Sequence, residues 1–290
     1  MSKVAVVTDS TAYLSKELVT AYGITVVPLV VIWGDEELLD NVDIGPEEFY
    51  ERLSTAQVMP STSQVTIQTF ADTFKKLHAE GYDILTVVIS SALSGTMDSA
   101  IQAKKLVPDA NIALVDSQST SLPLAFMALA AARAAKRGAS LQECVQVVEA
   151  VRAHTQVFFA VETLEFLHRG GRIGGASRFL GTALGLKPIL YLEDGKVEAL
   201  EKVRTTKRAH GRLVELINEG VNGKSPINFV GVVHAASEET ATQLMNDVEE
   251  KFNPHELMLA SISPVIGTHT GPGTLGIAYV AGVDPDLLVE

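Results

Sequence analysis

The chain is poor in three things that commonly announce a function. It has one cysteine, Cys144, among 290 residues, which excludes a disulfide framework and suits a reducing cytoplasm. Cys144 lies beside Val145, Val147 and Val148 with no activating group nearby, so it reads as a small core residue rather than a nucleophile. Positive charge is scarce: 23 Lys and Arg against 35 Asp and Glu leave a net charge of −12. Nucleic acids and anionic membranes call for clustered cations, and the balance argues against both. Long apolar runs are missing too. The most apolar segment, Leu122 to Ala132, falls short of the ~18–20 residues that span a bilayer. Lys3 leads at once into a strand pattern rather than a secretory leader.

The standard catalytic devices are also lacking. There is no GxxxxGK[ST] phosphate loop, GxSxG elbow, HExxH or acidic metal cluster. Gly271-Pro-Gly273-Thr-Leu-Gly276 spells the dinucleotide pattern GxGxxG, but Pro272 removes a donor and 14 residues follow Gly276. That motif needs a helix, a second strand and an acid ~20 residues further on. Neither a cofactor nor a metal is expected.

What is there is an order of strand, loop and helix. Apolar runs at 3–8 and 84–89, and another at 112–115, each precede a helical pattern, which predicts a parallel sheet. Thr25 to Ile32 reads as one strand near an edge, because Pro28 interrupts it. Residues 54–64 read as a polar loop, and helices are expected at 66–79, 97–106, 121–137 and 140–153. From Val157 the character changes to a strand, a glycine-broken helix at 174–185 and a hairpin turning at Asp194-Gly195. Two strands, two helices and a final apolar run follow. The length and this shift predict two α/β domains, 1–155 with a mostly parallel sheet and 156–290 with a mixed one.

Three strand ends carry similar chemistry: Thr8-Asp9-Ser10-Thr11, Ser90 to Thr96, and Asp116-Ser117. In a doubly wound sheet they line the rim where ligands bind, and small hydroxylated turns with free helix amides suit an anion. Taken singly, Thr62, Ser63 and Ser94 are most simply explained as caps and turn formers. His269 lies between Thr268 and Thr270 in what reads as a glycine-rich loop, which sets it apart from a helix-face histidine. His234 ends a strand at the rim. Arg169, Arg172 and Arg204 are few in an acidic chain, and they suit either exposed ion pairs or a local patch for an anionic group.

Read together, these segments resemble the DegV family of bacterial fatty-acid-binding proteins. The resemblance rests on Val7-Thr-Asp-Ser-Thr11, Pro60-Ser-Thr-Ser-Gln64, Ile89-Ser-Ser-Ala-Leu-Ser-Gly-Thr96, Val115-Asp-Ser117 and Leu164-Glu-Phe-Leu-His-Arg-Gly-Gly-Arg-Ile173. Lys187-Pro-Ile189, Val203-Arg-Thr205 and Ile266-Gly-Thr-His-Thr-Gly-Pro-Gly273 continue it in order, over essentially the whole chain. It implies a two-domain DegV-like α/β protein that is not itself an enzyme and holds one long-chain fatty acid. The carboxylate would be met by Thr62, Ser63, Ser94 and Gly95, with His269 close by. It also implies a partner, a separate ATP-binding fatty-acid kinase subunit that forms an acyl phosphate. Arg172 and Arg204 would face that partner or the phosphate. Where many relatives follow the Thr-Ser-Gln loop with proline and a small residue, this chain has Val65-Thr66, so Thr62 and Ser63 both stand as head-group donors. The helices around Phe126, Phe166 and Phe179 are expected to shape the acyl pocket. Two rival readings are an independent hydrolase using Ser94 and His269, and a lipid sensor or transport module with no kinase.

Overall fold

The computed structural model describes residues 3–182 and 185–288, so positions 183 and 184 of the expected glycine-broken helix lie outside the described residues. The strands are β1 (Lys3–Asp9), β2 (Thr25–Val27), β3 (Val30–Trp33), β4 (Glu36–Leu39), β5 (Ser61–Ser63), β6 (Tyr82–Val88) and β7 (Ile112–Asp116). In the second half come β8 (Thr155–Ala160), β9 (Lys187–Glu193), β10 (Lys196–Val203), β11 (Ile227–His234), β12 (Glu256–Ser261) and β13 (Leu275–Ala281). They form two α/β units, one around a parallel sheet and one around a mixed sheet. Among the described residues no helix is long and apolar enough to cross a membrane.

The first sheet runs β2-β1-β6-β7, all parallel. Its middle strands read as unbroken apolar runs because both faces are covered: positions 4–9 and 84–88 are all buried. Helices Ile67–Ala79 and Thr96–Lys105 pack on it together, as do Ser121–Lys136 and Leu141–Ala153. The second sheet has the order β10-β9-β8-β13-β11-β12, antiparallel except for the β11–β12 pair. Helices Thr206–Val221 and Glu238–Phe252 cover its far face.

Ser121–Lys136 lies between the two sheets, touching β1 and β6 on one side and β8, β11 and β13 on the other. Every residue from Ser121 to Ala134 is buried, which is why the segment is apolar all round rather than amphipathic. Phe126 stacks on Phe229 with ring centroids 5.0 Å apart. Gly231 has no side chain where Leu122 and Phe126 press against β11. At the helix end, Arg133 pairs with Glu256 across both nitrogens of its fork and sits 5.5 Å from the Tyr22 ring. One apolar core therefore contains residues of both halves.

Two expectations fail locally. Thr25 to Ile32 is not one strand: Pro28 cannot donate to a ladder, and the chain leaves the parallel sheet there and enters a small antiparallel sheet, β4-β3-β5. The supposed loop ending at Gln64 contains β5, in which Ser61, Thr62 and Ser63 pair with Ile32, Val31 and Val30. Cys144 is fully buried, and burial pushes its thiol up to about 11. Phe126→Ala is expected to destabilise the protein by about 3–5 kcal/mol. Urea melts followed by far-UV circular dichroism and by Trp33 fluorescence should shift together; separate transitions would show that the halves do not share their core.

Candidate functional site

A cavity opens where the carboxyl ends of the parallel strands meet the inner face of the mixed sheet, the usual ligand position in such folds. Ile89 and Leu93 beyond β6 and Thr120 and Ser121 beyond β7 line one side. Val157 and Phe159 of β8, Leu192 of β9 and Val197 of β10 line the other. Strand alternation makes this division: Val157 and Phe159 face the cavity, while Phe158 packs with the helices behind the sheet. The cavity volume is about 170 Å³, more than ten times the ~10–15 Å³ that one water needs. Gly276 in β13 also lines it, and a side chain there would meet Val233. Phe126, Phe166 and Phe179 are not in this lining. The aromatic wall is Phe159, because Phe126 is spent on the shared core.

One end of the cavity is polar. Thr62 Oγ1 lies 2.8 Å from His269 Nε2, joining β5 to the helix Pro264–Thr270. That helix is a third correction, since residues 267–273 read as a loop. The signal for it was present in Ser263-Pro264, a capping residue followed by proline at the first helical position. The helix is held against the N-terminal half by buried bonds. Asp40 Oδ1 accepts the Val265 N–H at 3.1 Å, and Tyr50 donates to the Ile262 carbonyl at 3.1 Å. Asp40 is fully buried, and desolvation raises its carboxyl to about 6. Gly170 has no side chain where the His269 ring comes closest, at Nδ1. That Nδ1 is buried and has no partner among the described residues.

Ser94 lines the same end, with Oγ 2.9 Å from Thr96 Oγ1. A nucleophile–base pair of Ser94 and His269, which a hydrolase would need, is not formed. Arg172 bridges the halves, donating from Nε to the Leu93 carbonyl at 3.0 Å and from Nη1 to the Gly170 carbonyl at 2.7 Å. Arg172, Thr62 and His269 also line an outer crevice with Pro60, Ser61 and Arg169, so the polar end is a thin wall between cavity and surface.

The other expected residues are placed differently. Ser63 lines the cavity but is exposed, and Gly95 is absent from the lining. Gly95 owes its lack of a side chain to Gln64, which packs against it and lines the cavity itself. Val65 is buried and Thr66 caps the helix Ile67–Ala79, so the departure at Val65-Thr66 is accommodated within regular structure. Arg204 is exposed beyond β10, outside both the cavity and the crevice. Arg169 is paired with Glu165. His234 is buried, accepting from the Ser237 N–H and lying 3.4 Å from Ser261 Oγ. The hydroxylated strand ends mostly satisfy each other. Asp9 accepts from the Ile89 and Thr11 amides, and Asp116 accepts from Ser91. The GxGxxG match runs from a helix into β13 rather than from a strand into a helix, and Gly271 supplies the left-handed φ of 77° that ends the helix.

Burial, reinforced by the Arg172 charge, lowers His269 from 6.5 to about 4. A depressed histidine favours the fold fully above 6.5 and loses that contribution as the pH falls toward 4. In the ligand-free protein the His269 ring should therefore stay neutral from pH 5 to 8. Imidazole ¹⁵N shifts would check this; protonation near pH 6.5 would show that the ring is solvated.

Comparison with known proteins agrees with this architecture. The family model described as "Uncharacterised protein, DegV family" matches residues 3–282. A DegV domain-containing protein of Halalkalibacterium halodurans is 36% identical over 280 residues, covering 96% of this chain and 99% of the relative. Among solved structures, a DegV family protein from Thermus thermophilus, described by its fatty acid binding, superposes with a TM-score of 0.91 at 34% identity, covering 96% of this chain and 99% of that one. DegV of Bacillus subtilis, described as a fatty acid binding protein, gives 0.89 at 33% identity, covering 97% and 100%. The chain shares its whole architecture with these proteins and belongs to the DegV family.

Proposed function

We propose that the protein binds one long-chain fatty acid in this cavity and presents its carboxylate to a separate ATP-dependent kinase subunit. The observation that carries the reading is the shape of the site: a largely apolar chamber with a polar end at Thr62, Ser94, Arg172 and His269, of which Thr62, Arg172 and His269 also wall an outer crevice. The fatty acids named for the Thermus thermophilus and Bacillus subtilis relatives support the ligand class. Burying ~14 methylenes at ~0.8 kcal/mol each offers on the order of 11 kcal/mol before ordering costs. Each head-group hydrogen bond adds only about 1 kcal/mol. The chamber sets affinity, and the polar end sets direction.

Within that end, Thr62 is the better placed of the two candidate donors, because it lines both spaces and already meets His269. Neutral His269 offers a hydrogen bond without a charge, and Arg172 brings the positive charge that a carboxylate and then a phosphate would need. In the partner reaction a carboxylate oxygen attacks the γ-phosphorus of ATP, the bond to ADP breaks, and acyl phosphate and ADP result. This chain holds and aims the acid. Its place is the cytoplasm, where ATP is, and it needs no cofactor of its own. Arg204, on the same half but away from the crevice, is assigned to the partner's docking surface.

The test loads the protein with radiolabelled palmitate, adds ATP and the kinase subunit encoded in the same genome, and traps acyl phosphate as the hydroxamate. Ser94→Ala should cut hydroxamate formation at least tenfold while retaining palmitate. Arg172→Ala should do the same. Unchanged phosphorylation in both variants, or loss of palmitate from both, would overturn the assignment of these residues to presentation.

A further inference from the structure

The chamber has further polar groups besides the residues assigned to the carboxylate. Thr120 and Ser121 line it at the start of the helix Ser121–Lys136. Thr120 is the residue before the first turn, yet its side chain makes no capping bond. The hydroxyl oxygens of both residues are sealed from water and have no hydrogen-bond partner among the described residues. Ser121 as a whole is 8% exposed and holds a left-handed φ of 63°. The first amides of any helix also lack intrahelical acceptors, and Pro123 prevents the third position from donating. Two residues that line the chamber thus carry buried, unpaired hydroxyls, an arrangement that costs stability unless something polar pairs with them.

A plain hydrocarbon tail cannot do that. A hydroxyl borne on the tail can, since it donates to one side-chain oxygen and accepts from the other or from an amide. Serine side chains hop between staggered positions, so Ser121 Oγ can swing toward such a group without moving the backbone. A second carboxylate is a poor occupant. It would bring a second charge to a chamber in which Arg172 and the neutral His269 are the basic side chains of the lining among the described residues, both already assigned to the first carboxylate.

We infer that Thr120, Ser121 and the start of their helix form a subsite for a hydroxyl borne on the tail, so that the chamber takes hydroxylated long-chain fatty acids in preference to the saturated parent. This rests on the fatty-acid reading of the chamber and narrows its ligand class. It makes two hydroxyls that are costly in an empty or plainly filled chamber into the element that selects among tails of equal length.

The test is displacement of a fluorescent fatty acid from the full chain by stearate and by 9-, 10- and 12-hydroxystearate. One positional isomer should bind about five- to tenfold tighter than stearate, the gain from one or two satisfied hydrogen bonds. Thr120→Val and Ser121→Ala, each close to the parent in volume, should erase that preference and leave stearate affinity within about twofold. Equal or weaker binding of every hydroxy acid, with stearate still bound, would overturn the subsite alone. Loss of stearate from the folded variants would place the carboxylate at this helix and overturn it too. Failure of the parent protein to bind stearate or any hydroxy acid would instead overturn the fatty-acid reading.

Discussion

Everything in the site hangs on one contact, Thr62 Oγ1 to His269 Nε2 at 2.8 Å, between residues 207 positions apart. It closes the polar end of the chamber by joining a three-residue strand to a seven-residue helix. Neither element is stable alone. β5 is held by β3, and the helix is held by Asp40 and Tyr50 of the N-terminal half. Because the helix belongs to the C-terminal half and its supports to the N-terminal one, the contact persists only while the two halves stay docked. The central helix Ser121–Lys136 provides that docking by sharing one core with both sheets.

The two scales of energy explain the division of labour. Apolar burial grows with every methylene, whereas hydrogen bonds gained on leaving water are individually small. On the proposed reading, a chamber walled by Leu93, Val157, Phe159 and Leu192 governs retention. On the same reading the few polar atoms decide which way the ligand points, one kept neutral by burial and one fixed by hydrogen bonds. His269 is pressed below its solution range, and Arg172 is tied to carbonyls of both halves.

Much of this was legible in the residues. The parallel order followed from buried apolar runs, and the hairpin from Asp194-Gly195, whose turn separates β9 and β10 as expected. What escaped was set by tertiary contact. Ser61 to Ser63 has no apolar alternation and becomes a strand only because β3 offers an edge. Pro28 marked a break, but nothing local says that the chain changes sheets there. The helix bearing His269 was masked by Gly267, a glycine required by the close approach of Tyr50 and Phe49. Thr120 and Ser121 carried no motif at all. Their significance lies in hydroxyls left unpaired, which spacing cannot reveal.

The central claim is that the space between the sheets is a chamber for one acyl chain. Native mass spectrometry of the protein purified under non-denaturing conditions, with organic extraction of the same sample, tests it most directly. The account predicts one adduct per chain, with the mass of a long-chain fatty acid recovered in the extract. A bare chain that also fails to take up added palmitate would contradict it.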